Sequence, residues 1–167
     1  MTLAQTPDRT GSRRADPPHE QLCRRCGVSC HVALPVRERY VVVPGLHCKF
    51  LEEQENNTFG CRVYADRFEQ APWCHHAEIA GPLGYLAQDC PYGTPAGLGK
   101  VRVSEEEFAE LWPELLGKIR FWGVPTYIDG ARLLAEVVRR SGGSWRLEPW
   151  PGDSERLRLM RGSGGLA

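Results

Sequence analysis

Seven thiols fall in one stretch of the sequence: Cys23, Cys26, Cys30, Cys48, Cys61, Cys74 and Cys90, the first three as Cys-x2-Cys-x3-Cys. Four of the five histidines, His31, His47, His75 and His76, lie in the same stretch. Soft sulfur and borderline imidazole donors gathered in this way are ligands for zinc or iron. Two residues between Cys23 and Cys26 let one tight turn present both sulfurs to a single ion, and Gly27 permits the backbone geometry that follows such a turn. Cys30 is positioned to complete a three-thiolate face. Zinc takes four donors tetrahedrally, whereas an iron–sulfur cubane takes three or four thiolates. Spacing leaves the metal open, and the donor count permits up to two sites.

The elements that must position these thiols are weakly marked. Residues 21–100 hold little sustained periodicity beyond the apolar run Tyr40-Val41-Val42-Val43, which is expected to end at Pro44-Gly45. With so little apolar surface, metal coordination is expected to supply much of the folding free energy of this unit. Cys48, Cys61 and Cys74 are evenly spaced, and Cys48-Lys49-Phe50-Leu51 is similar in pattern to Cys61-Arg62-Val63-Tyr64, a faint internal repeat. Gly93 to Lys100 has a superficial phosphate-loop look. It lacks the required spacing, and Val101 stands where a magnesium-binding hydroxyl is needed, so it reads as a connector.

From Ser104 the pattern turns helical. Phe108, Leu111, Trp112, Leu115, Leu116 and Ile119 recur on one face and the glutamates on the other, with Ser104 and Glu107 as a capping box. Pro113 predicts a kink or two short helices. A second helix is expected from Asp129 through Arg140, buried along Leu133, Leu134, Val137 and Val138 and stopped at Gly142-Gly143. Val124 to Ile128 and Trp145 to Trp150 are candidate extended segments. The expected fold class is therefore α+β: a small, irregular, metal-stabilised cysteine-cluster unit followed by a helical and mixed C-terminal part. Residues 1–20 read as a disordered leader, 21–100 as the metal-binding unit, 101–153 as the α+β region and 154–167 as a flexible tail.

The succession Cys23-Arg24-Arg25-Cys26-Gly27-Val28-Ser29-Cys30, then Cys48-Lys49-Phe50-Leu51, then Cys61-Arg62-Val63-Tyr64-Ala65-Asp66-Arg67, then Cys74 resembles the YkgJ-type cysteine-cluster family of zinc- or iron-chelating proteins over about residues 22–76. Ser29 stands where that family often has the first of two adjacent cysteines, and Phe68 where a proline often follows the arginine. The resemblance implies chelation of zinc or iron, with Cys23, Cys26, Cys30, Cys48, Cys61 and Cys74 as ligands. Cys90 is added from this chain's own cysteine count, and His31, His47 or Cys90 are the substitutes for the thiol absent at Ser29. Of His75 and His76, side chains that alternate along an extended segment, at most one is expected to face the site. Tyr64 and Arg67 match family positions and suit a hydrogen bond to sulfur and neutralisation of thiolate charge. One branch of that family is associated with lysine methylation of flagellin, which brings an iron–sulfur enzyme into view.

The first functional expectation is thus a metal-binding cysteine-cluster protein holding zinc or iron, an iron–sulfur cluster included. The alternative is an iron–sulfur or metal-dependent enzyme of methylation or redox modification, with Trp73, Trp112, Trp122 and Tyr127 as candidate pocket walls and its catalytic residues unknown. A nucleic-acid module ranks last: formal charge sums to zero, and the basic residues of the cysteine unit are interspersed with Glu38, Glu52, Glu53 and Glu55. No signal-peptide core or membrane-length apolar run is seen, so a cytoplasmic protein without a membrane partner is expected. A reducing compartment and an odd number of thiols disfavour a disulfide framework.

Overall fold

The computed structural model describes residues 22–95 and 97–162. The expected leader and residues 163–167 of the expected tail lie outside them. The fold is α+β. Strands β1 (His31–Val36) and β2 (Arg39–His47) form an antiparallel hairpin, joined by β5 (Lys100–Val101) parallel to β2. Arg37 and Glu38 form the hairpin turn with φ of 47° and 64°, the left-handed conformation that matches the twist of a two-residue connection. Strands β3 (Leu51–Glu53) and β4 (Phe59–Cys61) pair antiparallel on their own, and the short helices α1 (Arg67–Gln70) and α2 (Ala77–Ala80) follow. Helix α3 (Glu105–Trp122), strand β6 (Val124–Pro125), helix α4 (Gly130–Ser141) and strands β7 (Trp145–Trp150) and β8 (Asp153–Arg161) complete the chain.

The helical expectations hold in their caps and in most of their faces; Val138, expected on the buried face of α4, is 44% exposed, while Leu133 and Val137 are buried. Ser104 Oγ accepts from the Glu107 amide, and Asp129 Oδ1 accepts from the Arg132 amide, each satisfying a donor that the first turn leaves orphaned. Pro113 neither splits α3 nor ends it. It sits on the exposed side, while Phe108, Leu111, Trp112, Leu115 and Ile119 anchor the helix to the core on both sides of it. Three of the five glutamates of α3 are paired. Glu105 pairs with Arg139 and Arg140, Glu107 with Arg39 and Glu114 with Lys118.

Two expectations are corrected. Residues 154–161, read as tail, form β8, the central strand of the sheet β6-β8-β7, and Leu159 is buried in the core. Leu157 and Leu159 alternate with Arg156 and Arg158, a period-two pattern that packs one face of the strand inward and turns the other outward. Likewise β2 does not stop at Pro44-Gly45. Its pairing passes from Ala33–Val42 to His31–His47, so the extra residues form a bulge there. Gly45, at φ 77°, sits under α4, where a Cβ would stand 2.8 Å from the Arg132 carbonyl oxygen.

Strand β2 is buried on both faces, and this organises the molecule. Val41 and Val43 join Leu34, Val36, the α3 face, Leu133, Val137 and Leu159 in the main core. Val42, pointing the other way, packs with Val28 and Ala87 and against Ala33, Cys26 and Cys90. The boundary expected near residue 100 is crossed by this core, which draws the β1–β2 hairpin and the C-terminal helices together.

Candidate metal centre

The thiols are carried by loops on the second face of the β1–β2 hairpin. After Cys26 the chain reverses at Gly27, whose φ of 68° is open to glycine and whose missing Cβ makes room for Phe59: a Cβ there would lie 2.6 Å from the ring. The Gly27 carbonyl accepts from the Cys30 amide at 3.0 Å and from His31 Nδ1 at 2.8 Å, closing a 3-10 turn over Val28–Cys30. The Cys30 carbonyl in turn accepts from the Cys48 amide at 2.9 Å, which brings these two cysteines together at the open end of the hairpin. Leu51, opposite Cys61 in the β3–β4 pair, donates to the Cys48 carbonyl at 3.0 Å, and Cys74 is held by its amide on the Ala71 carbonyl at 2.8 Å.

Cys23, Cys26 and Cys90 are arranged separately. Arg24 donates to Asp89 Oδ2 at 3.0 Å and to the Asp89 carbonyl at 2.6 Å, joining the segment around Cys23 and Cys26 to the loop bearing Cys90. Arg102 donates to the Cys26 carbonyl at 2.8 Å, and the Cys90 amide to the Ala87 carbonyl at 3.0 Å. Cys30 is tied through its backbone carbonyl to Cys48, and the segment bearing Cys23 and Cys26 is tied to the loop of Cys90.

Electrostatics follows the same division. Burial pushes the Cys30 thiol up to about 11, opposed by the Ser29 hydroxyl and reinforced by Cys48, Cys74 and Cys61. Burial also raises Cys74; Arg67 opposes the rise, while Cys61 and Cys48 add to it. Cys90 is raised by burial, with the Tyr92 amide opposing and Cys26 and Cys23 contributing. Burial thus holds these three thiols in the neutral form, and any ligand role would require their deprotonation.

All seven cysteines line one cavity of about 1270 Å³, and all seven are free thiols. Among the described residues, no three Cys, His, Asp or Glu side chains converge closely enough to hold one ion in this arrangement. The donor chemistry nevertheless fits a soft cation or cluster, and one further observation bears on the fit. Trp73, stacked on Tyr127 at 4.8 Å and on Phe50 at 6.2 Å, buries its indole N–H without an acceptor among the described residues. An indole is a donor only, and such a group when buried ordinarily has a partner; a thiolate or an inorganic sulfide would be one.

Of the other expected residues, Tyr127 and Trp73 line the cavity, whereas Trp112 belongs to the helical core, donating to Ser141 Oγ, and Trp122 ends α3 partly exposed. His31 is buried and lowered to about 4 by desolvation, with Nδ1 engaged by Gly27. His47 engages the Cys48 carbonyl and lies outside the cavity lining. His75 and His76 both line the cavity, against Tyr85 and Phe68 respectively, in a segment that is not a continuous strand. Arg67 stacks over Tyr64 at 4.1 Å and is the cation nearest in effect to Cys74.

Sequence reasoning missed Lys100. Read as the end of a connector, it opens β5, and its Nζ donates to the carbonyls of His31 at 2.6 Å, Ser29 at 3.2 Å and Val28 at 3.4 Å. Burial lowers it to about 8, while Cys30 acts in the opposite direction. A lysine among glycines carries no signal of this role. Among the described residues no helix is long and apolar enough to cross a membrane. Comparison with family models, curated proteins and solved structures gave no match to the chain.

Proposed function

We propose that the chain is a metal-binding cysteine-cluster protein, with Cys23, Cys26, Cys30, Cys48, Cys61, Cys74 and Cys90 as the ligand pool for iron or zinc. The observation that carries this reading is that all seven cysteines, spread from Cys23 to Cys90 in sequence, are free thiols lining one cavity. The motif succession shared with the YkgJ-type family points the same way. An iron–sulfur cluster, whose ligands attach to separate iron corners, would supply sulfur acceptors within the cavity that Trp73 also lines. Ligation then requires deprotonation of the thiols and a closing-in of their loops, so metal binding is coupled to local folding.

A second reading, enzymatic modification at the metal, is favoured by the cavity itself, which has aromatic walls at Tyr64, Trp73, Tyr85, Tyr92 and Tyr127 and is large enough for a small substrate.

The test is anaerobic purification followed by iron, zinc and acid-labile sulfide analysis with a visible spectrum. Iron with sulfide and broad brown absorption supports the cluster, and colourless zinc-bound protein moves the assignment to zinc. Protein that holds neither metal, as isolated or after reconstitution with zinc or with iron and sulfide, defeats the proposal.

A further inference from the structure

We propose that the cavity binds an organic anion with an apolar body, a carboxylate on an aromatic or aliphatic frame; this goes beyond the metal-binding reading and does not require a bound metal. The cavity is apolar both within and at its mouth. Ala80, Leu86 and Ala87 are buried and form part of its wall, whereas Tyr64, Leu83, Tyr85 and Leu98 line it while remaining exposed. Apolar side chains left in water around a concavity of about 1270 Å³ mark a place where another apolar body settles.

Charge selects the head group. The whole chain balances 21 Lys and Arg against 21 Asp and Glu, but among the described residues the cavity lining carries Arg24, Arg25, Arg67 and Lys100 against one carboxylate, Glu78. Asp89 offsets Arg24 at 3.0 Å. The partners of Lys100 Nζ are carbonyls, which hold its charge in place without cancelling it, and Arg67 lies over the rings of Tyr64 and Phe68 at 4.1 and 4.4 Å. Arg25 differs. Its backbone is fixed, the amide on Cys23 Sγ at 3.4 Å and the carbonyl on the Phe59 amide at 2.9 Å, yet among the described residues its guanidinium has no hydrogen bond or ion pair. An uncommitted planar fork of donors at the rim of an apolar cavity is the group that a carboxylate takes with two oxygens at once. Trp73, in the same wall, keeps a buried indole N–H without an acceptor among the described residues, a second donor suited to an anionic oxygen. A cationic guest would meet repulsion from the same lining.

Isothermal titration calorimetry of the full-length protein as isolated tests this, with sodium 2-naphthoate and sodium decanoate as probes and 2-naphthylmethanol and decylamine as the neutral and cationic counterparts. The expected result is one-to-one binding of at least one carboxylate, weaker binding of the alcohol, none of the amine, and loss of affinity with added salt. Binding of naphthoate alone assigns an aromatic body, and of decanoate alone an aliphatic one. Arg25→Gln and Arg25→Glu are expected to weaken the carboxylate by about tenfold or more. Arg120→Glu, the same change of charge in the exposed last turn of α3, is expected to leave it at the parental affinity. Arg25 is exposed, so its variants should keep the parental circular dichroism. No binding of either carboxylate, equal binding of the alcohol or the amine, or parental affinity in both Arg25 variants overturns the proposal. Metal content measured on the same preparations decides the metal-binding reading separately, so either can fail alone.

Discussion

At the residue scale, Trp73 and Lys100 carry the sharpest consequences. Trp73→Phe keeps an aromatic ring for stacking on Tyr127 and Phe50 but removes the buried N–H. If that N–H serves sulfur of a cluster, the metal content of Trp73→Phe stays at the parental level while the midpoint potential, measured by anaerobic spectroelectrochemistry, falls, because a hydrogen bond to sulfur stabilises the reduced state. An unchanged potential would assign the indole to packing. Lys100→Met removes the donor to three carbonyls in one step. A loss of about 2 kcal/mol in urea unfolding is expected, since hydrogen bonds to a charged group are the stronger ones and the abandoned carbonyls are partly buried. A change within the error of the parental curve would show that water replaces the ammonium without cost.

At the element scale, the weight carried by β8 is the main point. As the central strand between β6 and β7, with Leu159 in the core, it is part of the body. Leu159→Ala is expected to cost about 3 kcal/mol, the usual range for a truncated core leucine, measured as a lowered thermal or urea midpoint. A midpoint equal to the parent's would return residues 154–161 to the status of a tail. The two long helices were legible in the sequence because their information is local: a capping serine or aspartate, an apolar face at helical spacing and a glycine stop all lie within one segment. Strand β8 was less so. Its alternation is short, interleaved with arginines, and acquires meaning only from β7 and β6 on either side.

At the scale of the whole molecule, one core draws on both halves of the sequence, and the thiol loops sit on the outer face of its hairpin. Removal of the proposed metal should therefore loosen the loops and leave the body. Hydrogen exchange by mass spectrometry is expected to rise on chelation over residues 22–30 and 48–93, with α3, α4 and β7–β8 unchanged. Equal loosening of α3 and α4 would show that the metal sustains the entire fold.

The sequence by itself determined the donor inventory, the turn at Cys26-Gly27, the two capped helices and the mixed class of the fold, because each is written in neighbouring residues. Only the tertiary structure decided that all seven thiols line one cavity. Arg24 meets Asp89 across 65 positions, Lys100 reaches back to the turn before β1, and the reversal at Gly27 sends Cys26 and Cys30, four residues apart, to different companions. The physical reason is the two-sided burial of β2. Alternate valines commit one face to the helices and the other to the thiol loops, and contacts made through such a wall depend on how distant segments pack.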